Sequence, residues 1–362
     1  MKTLKKILSS VILLLCTTLL FGQSFPKGEN TIRLLTYNTH YCKGGTDPGI
    51  INEENTRKFA QVIQALDPDV VSLQELDSAC NGRGKRYQLG QIATFSQLPF
   101  DAIYGAAASY DGGKIGCGIL IRKDLPVKKI KKITLPGAEA RIGLRVDTED
   151  LSFMATHLDL DDTKRIMSAN KICSEADYVS RPLFVAGDLN DSFRWNNLAF
   201  SVFLNTFDIA SSIEGSSLPG RTDGTQSLID YILLKKDEAS NVTIVDTKIV
   251  RGVEINGKVV DLATISDHYP VFVDIQLNSS SNVQNNNSSP FHFYPNPVMN
   301  EITITNNSPV NQVSIYAANG QKVICIVQED IRTLNIAQLP KGVYILKGYS
   351  GDQCYTAKLI KE

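Results

Sequence analysis

At 362 residues the chain is longer than one average domain, and a prior of roughly 100–200 residues per domain divides it into two. Lys and Arg number 37 against 38 Asp and Glu, for a formal net charge of −1. That balance argues against a protein that grips nucleic-acid backbones along its length, since such binders carry a basic face or a high isoelectric point.

The N-terminus places Lys2, Lys5 and Lys6 before an apolar run from Ile7 to Phe21, followed by Gly22-Gln23-Ser24. A positive start, a short apolar stretch and a small-residue exit read as a secretory signal peptide over residues 1–22, too short for a spanning helix of about 18 or more apolar residues. Leu15 stands before Cys16 where lipoprotein processing needs a small residue, which counts against lipid attachment. Export makes the remaining six cysteines meaningful, because disulfides persist in oxidising compartments. No pair has CxxC spacing. Cys42 follows Asn38 by four residues and Cys80 follows Glu75 by five, so a bridge between these two loops is one reading and buried free thiols are the other.

From residue 30 to 277, β-rich apolar runs alternate with helical patterns. Ile32 to Tyr37 reads as the first strand, followed by a helix over Glu53 to Leu66. That helix sets Phe59, Val62, Ile63 and Leu66 on one face and stops at Asp67-Pro68-Asp69. Val70 to Leu73, Cys117 to Ile121 and Phe153 to Thr156 are further strands, then a second helix spans Asp162 to Tyr178. Leu183 to Ala186, Ile229 to Leu234 and Val271 to Leu277 complete the set. Lys123, Lys128, Lys129, Lys131 and Lys132 flank an expected hairpin and read as solvated protection of a sheet edge. So many strands with helices interspersed imply two packed sheets with helices outside. Residues 76–115 and 191–227 carry no readable motif.

Residues 278–290 hold no charge and one apolar side chain, which cannot bury enough surface to offset ordering entropy, so they read as a flexible linker. Beyond it, residues 291–362 have β-branched runs at Ile302 to Thr305, Gln312 to Tyr316, Lys322 to Val327 and Val343 to Leu346, with Asn319-Gly320 as a hairpin turn. This reads as a small all-β sandwich. Its Phe293-Tyr294-Pro295-Asn296-Pro297, Tyr316-Ala317-Ala318-Asn319-Gly320-Gln321 and Leu339-Pro340-Lys341-Gly342-Val343-Tyr344 resemble the C-terminal sorting domain of type IX secretion cargo. The resemblance implies recognition by that secretion machinery and export from a Gram-negative bacterium, to the medium or the cell surface. A carbohydrate- or surface-binding module is the rival reading, with few aromatics available for sugar stacking.

The chemistry-bearing residues of the larger segment fall in six motifs: Tyr37-Asn38-Thr39, Gln74-Glu75, Thr156-His157-Leu158, Gly187-Asp188-Leu189-Asn190, Ile229-Asp230-Tyr231 and Ser266-Asp267-His268. Five of them end or follow a β-like run, so one rim of a sheet can gather them. Singly, an acid at a strand end is a solvated turn residue and a lone His a satisfied structural group. Yet two of only four histidines stand in these motifs, beside acids. Hydrolysis of a phosphate ester needs a cation on the developing charge, a nucleophilic water and a proton for the leaving oxygen. Glu75 offers hard oxygen suited to Mg²⁺, with Mn²⁺ or Ca²⁺ as alternatives. Asp188 and Asn190, two residues apart, project to one side to orient water and hold a phosphoryl oxygen. His268 is the acid–base group, with Asp230 fixing its tautomer. Asp267 points away from His268 and suits a further metal contact, and His157 adds a second imidazole.

These motifs, over residues 31–277, resemble the endonuclease/exonuclease/phosphatase superfamily, which includes deoxyribonucleases, apurinic endonucleases and neutral sphingomyelinases. The resemblance implies a four-layer α/β/β/α sandwich and metal-dependent phosphoesterase activity. It assigns metal binding to Glu75 with Asn38 and Asp267, catalysis to Asp188, Asn190, His157 and the His268–Asp230 dyad, and favours the deoxyribonuclease and sphingomyelinase branches over the apurinic one. Arg83 and Arg86, with Lys85 in a Gly-rich loop after Glu75, are candidate substrate contacts. So is Arg141, in Glu139-Ala140-Arg141, whose alternative is a strand-end ion pair.

Within residues 31–277, 27 Lys and Arg face 32 Asp and Glu, a net −5 that argues against a nuclease gripping long duplexes and leaves a local basic groove open. Arg251 to Ile265 contains no aromatic to enter lipid, which argues against a sphingomyelinase. The expectation is a monomeric secreted phosphoesterase acting on nucleic acid, a phospholipid head group or a small ester. The alternatives are a sphingomyelinase or phospholipase C-like enzyme, and a silent phosphate-ligand binding protein of the same fold.

Overall fold

The computed structural model describes residues 25–45, 49–137, 141–195, 198–221, 227–278, 292–305, 309–317, 321–350 and 353–362. The expected signal peptide, the linker from residue 279 onward, Glu139, Ala140 and the Asn319-Gly320 turn lie outside them. Contacts divide the chain into two units between Ser279 and Ser280.

In the first unit the elements run β1 (Ile32–Asn38), α1 (Glu53–Leu66), β2 (Val70–Ser78), α2 (Gln88–Phe95), β3 (Phe100–Tyr110), β4 (Gly113–Arg122), β5 (Lys129–Leu135), β6 (Arg141–Asp147) and β7 (Ser152–His157). They continue as α3 (Asp162–Ala176), β8 (Leu183–Asp188), α4 (Leu198–Thr206), β9 (Phe207–Ile209), β10 (Asp230–Lys235), β11 (Val242–Ile249), β12 (Gly252–Ile255), β13 (Lys258–Asp261) and β14 (Val271–Leu277). Two six-stranded sheets result, ordered β11-β14-β1-β2-β4-β3 and β5-β6-β7-β8-β10-β9. Each is antiparallel except at its centre, where β1 pairs with β2 and β7 with β8 in parallel. A parallel pair needs a crossover, and α1 and α3 supply them.

Strand alternation explains the layers. Leu34, Val70, Phe184 and Ile232 point between the sheets, into a core shared with Ile119, Leu144 and Phe153. Their neighbours Leu35 and Val71 face the opposite way, under Phe59, Val62, Ile63 and Leu66 of α1. Val185 and Leu233 likewise meet Ala169 and Ile172 of α3 and Phe200 and Phe203 of α4. Both faces of both sheets are therefore covered, and the architecture is a four-layer α/β/β/α sandwich.

α1 begins where Asn52 accepts the Asn55 N–H at 2.7 Å, with Glu53 and Glu54 at the positive end of the helix dipole, and stops at the left-handed Asp67 before Pro68. α3 closes at Ala176, two residues short of the expected Tyr178. Lys129, Lys131 and Lys132 lie within β5, an edge strand, rather than beside it, and Lys131 pairs with Glu175 of α3. The cysteine bridge does not form: Cys42 and Cys80 are buried free thiols. Cys42 packs in the core under α1, whereas Cys80 reaches the Lys114 carbonyl at 3.6 Å.

At the end of β1 remote from Asn38, the buried Arg33 donates through Nε and Nη2 to Asp274, each at 2.7 Å, and through Nη1 to the carbonyls of Phe25 and Leu66. Arg33→Met strands the Asp274 carboxylate in the interior. Its expected cost is about 3–5 kcal/mol, read as a lowered urea midpoint; a loss under 1 kcal/mol would contradict that account.

The second unit holds β15 (His292–Tyr294), β16 (Glu301–Thr305), β17 (Gln312–Ala317), β18 (Lys322–Val327), β19 (Thr333–Asn335), β20 (Gly342–Ser350) and β21 (Gln353–Lys361). They form a three-stranded sheet, β15-β16-β19, and a four-stranded one, β18-β17-β20-β21. Val298, Ile302, Val313, Ile315, Leu334, Leu346 and Leu359 build its separate core.

Candidate active site

Between the sheets the inner face is apolar over most of its length and turns polar toward one rim. Along β1 the inward residues run Leu34, Thr36, Asn38, and along β2 they run Val70, Ser72, Gln74. Ser72 Oγ donates across the sandwich to the Ala186 carbonyl at 2.8 Å, and Gln74 Nε2 donates to Ser72 Oγ at 2.6 Å. This buried polar belt supports the rim above it.

Register then assembles the site. His157 lies opposite Asp188 in the β7–β8 pair, and Asp188 opposite Asp230 in the β8–β10 pair, so three adjacent strand ends carry three titratable groups side by side. Gly187 permits the approach, because a Cβ there would stand 1.9 Å from the Thr156 carbonyl oxygen. Asn38 reaches across from the other sheet, its Nδ2 donating to Asp188 Oδ2 at 3.1 Å and to Glu75 Oε1 at 3.2 Å while its Oδ1 accepts the His40 N–H at 3.0 Å.

Strict alternation would turn Glu75 away from the inward Gln74. A bulge in β2 between Leu73 and Leu76, with Glu75 at φ 53°, re-aims it into the site. Thr39 Oγ1 holds the bulge by donating to the Glu75 carbonyl at 2.7 Å.

Asp188 sits at the centre. Its Oδ1 accepts the Asn190 N–H at 2.9 Å, and its Oδ2 lies 3.4 Å from His157 Nε2 and 3.7 Å from His268 Nε2. His268 Nδ1 donates to Asp230 Oδ2 at 2.8 Å, with His157 and His268 each 7 % exposed and Asp230 fully buried. Asn190 Nδ2 donates to the Leu158 carbonyl at 2.9 Å and lies 3.1 Å from His157 Nε2. Arg141 Nη1 meets His157 Nδ1 at 2.9 Å. Asp267, on the loop before β14, stands half-exposed with Oδ1 3.4 Å from His40 Nδ1.

Burial opposes ionisation of all three central groups, and neighbours decide the outcome. Burial pushes Asp188 up to about 7, with Asp230 adding to the rise and His268 opposing it. Burial alone would lower His268, but Asp230 and Asp188 outweigh it and hold the imidazolium up to about 10. His157 goes the other way: burial first, then Arg141 and His268, keep it well below its ordinary value.

The sequence candidates thus gather in one place, except two arginines. Arg83 stacks on the rings of Tyr41 and Tyr110, at 4.0 and 4.6 Å, and Tyr41 lines the cleft beside Glu75, Cys117, Arg141 and His157. Arg86 donates to the Ile51 carbonyl at 3.1 Å, behind that loop. Tyr41, His40 and Cys117 were not read as site residues from the sequence; Tyr41 and His40 stand beside Asn38, and Cys117 opens a predicted strand.

The donor set fits a hard divalent cation. Glu75, Asp188, Asp230 and Asp267 place four carboxyl groups at one rim, against Arg141 and the His268 imidazolium. Burial, with Asp230 beside it, drives Asp188 toward its neutral form, which a cation at this rim would offset. Asp188, Asp230 and His268 also offer ligand atoms within 4.8 Å of one another, but the 2.8 Å bond between Asp230 and His268 marks these two as a dyad.

Residues 35–268 match the model of the Endonuclease/Exonuclease/phosphatase family, over more than half the chain, and the protein belongs to that family, whose members hydrolyse phosphate esters with divalent metals. Residues 292–362 match the secretion system C-terminal sorting domain, so the protein is exported, either secreted or attached to the cell surface. Similar solved structures include an endonuclease/exonuclease/phosphatase from Beutenbergia cavernae DSM 12333, at 16% identity and TM-score 0.53, covering 91% of this chain and 100% of that one. A Bacteroides vulgatus endonuclease/exonuclease/phosphatase, at 17% identity and TM-score 0.51, covers 68% and 99%. The Bacteroides thetaiotaomicron VPI-5482 mannosyl-6-phosphatase, at 16% identity and TM-score 0.50, covers 67% and 99%. At these identities the likeness establishes the fold. No curated protein matches this sequence.

Proposed function

We propose that the protein is an exported, Mg²⁺-dependent phosphoesterase whose substrate is a nucleic acid, a phospholipid head group or a small phosphate ester. The observation that carries this reading is the convergence of Glu75, His157, Asp188, Asn190 and the Asp230–His268 dyad on one rim, within a set of 2.8–3.7 Å contacts.

Glu75, its carboxylate steadied by the Asn38 amide, would hold the cation together with the half-exposed Asp267. The chemistry such a cation would supply is positive charge against the phosphoryl oxygens and a lowered pKa for water. Asp188, its pKa raised by burial to about 7, orients the attacking water and in its carboxylate form accepts the proton. His268, kept charged by Asp230, faces the same centre through Nε2 and supplies the proton for the leaving oxygen. Asn190 and His157 hold a phosphoryl oxygen between them, and Arg83 and Arg141 flank the cleft through Tyr41 and His157. Arg86, tied to the Ile51 carbonyl, stays outside this arrangement.

The test is a panel of plasmid DNA, RNA, sphingomyelin, inositol phosphates, sugar phosphates and chromogenic mono- and bis-esters, each with and without chelator. Hydrolysis of at least one, lost with chelator and in Glu75→Ala, is expected. No turnover on any of them with Mg²⁺, Mn²⁺ or Ca²⁺ would leave a silent binding protein of the same fold. Deleting residues 291–362 is expected to leave hydrolysis within about twofold and to abolish delivery outside the cell; normal export of the shortened chain would contradict the sorting role.

A further inference from the structure

We propose that Arg141 is a positioning residue that locks His157 as a neutral imidazole with its proton on Nε2, making that ring a fixed hydrogen-bond donor in the site rather than a proton carrier. The proposal rests on the functional reading above only for what the donor meets; the tautomer itself follows from geometry.

A guanidinium has five N–H donors and no acceptor. At 2.9 Å from Arg141 Nη1, His157 Nδ1 must therefore be the acceptor, and a neutral ring then carries its proton on Nε2. Turning the ring over would set carbon atoms against the guanidinium, so the ring orientation is fixed by the same contact. Nε2 then lies 3.4 Å from the Asp188 carboxylate oxygen Oδ2.

Asn190 sharpens the point. Its Nδ2 gives one hydrogen to the Leu158 carbonyl at 2.9 Å, which fixes the amide, since the flipped group would set oxygen against oxygen. The same nitrogen lies 3.1 Å from His157 Nε2. With Nε2 protonated, it cannot accept the second amide hydrogen, so two N–H groups, one from each side chain, sit side by side with their nitrogens 3.1 Å apart. Preorganised donors aimed at one point are what a phosphoryl oxygen with developing charge requires. Arg141 creates this pair without itself touching the oxygen.

The experiment is a long-range ¹H–¹⁵N correlation spectrum of the imidazole rings in the full mature chain. Its four histidines keep the spectrum simple, and His157→Gln assigns the ring. The wild type is expected to show His157 with a protonated Nε2 and an unprotonated Nδ1. Arg141→Met is expected to lose that preference, and Arg141→Lys, which keeps a donor, to retain it. A protonated Nδ1 in the wild type, or an unchanged tautomer in folded Arg141→Met, overturns the proposal. Should Arg141→Met fail to fold, the wild-type spectrum alone decides. The readout needs no turnover, so a chain that hydrolyses nothing would defeat the proposed function and leave this result standing on its own.

Discussion

Replacing Asp230 by Asn is expected to lower kcat about 10⁴-fold, the loss that follows when a buried carboxylate no longer fixes a catalytic imidazole. The carboxylate is fully buried and accepts the His268 Nδ1 proton at 2.8 Å, while Nε2 looks toward Asp188. An amide of the same shape keeps the packing, so above pH 10, where the ring is neutral in both proteins, the urea midpoint should move far less than the rate. What it removes is charge: burial already pulls His268 downward, and without Asp230 the ring loses the largest influence that raises it. A pH signature follows. The folded ring, at about 10, lies above its ordinary 6.5, so its stabilising contribution is complete below 6.5 and is lost as pH rises through 10. With chelator present, wild-type stability should therefore fall between pH 7 and 10 by more than that of Asp230→Asn. Equal slopes, or full activity in the variant, would remove the dyad from the mechanism.

The second large effect belongs to the cation. Glu75→Gln keeps the bulge and the Asn38 contact but removes the carboxylate charge. Activity at saturating substrate and 1 mM Mg²⁺ is expected to fall about 10²–10³-fold. The same logic gives a stability test. Asp188 is raised to about 7 from an ordinary 3.8, chiefly by burial, so folding favours its protonated form, and the chelated protein loses stability as pH climbs from 4 through 7. A cation beside Asp188 offsets that loss. Millimolar Mg²⁺ should thus raise the melting temperature more at pH 8 than at pH 5, by an amount equivalent to about 2–3 kcal/mol when the ion is 100-fold above its Kd. Glu75→Gln should lose the shift. Full hydrolysis in chelator with no Mg²⁺ effect at either pH would sink the metal assignment.

Much of the architecture is legible in the chain because its signals are local. α1 announces itself through a helical apolar face and a Pro-terminated end, and its observed limits are those the pattern predicts. The seven strands read from apolar runs are all present, since both faces of each sheet are covered and the runs are uninterrupted. β3 was not legible: Ala106, Ala107 and Ala108 stand in its middle, small residues that give no apolar period, and its exposed end carries Ser109 and Tyr110. β5, with four residues before Ile133 dominated by lysine, reads as a flank rather than a strand, because an edge strand is paired through backbone and not through burial.

The site divides along the same line. The residue types that make a phosphoesterase, and their placement at strand ends, are properties of the sequence alone, because chemistry demands acids, imidazoles and amides and alternation dictates which of them share a face. The tertiary structure decided the rest. The β2 bulge turns Glu75 inward against the alternation, register between β7, β8 and β10 sets His157, Asp188 and Asp230 abreast, and the neighbours each buried ring meets, Asp230 and Asp188 for His268 and Arg141 for His157, split two histidines into a charged and a neutral one. Arg141 was visible as a cation near the site, but that it faces His157 depends on two strands meeting. Such relations arise between segments distant in sequence, where short-range pattern carries no information and packing alone fixes geometry and charge.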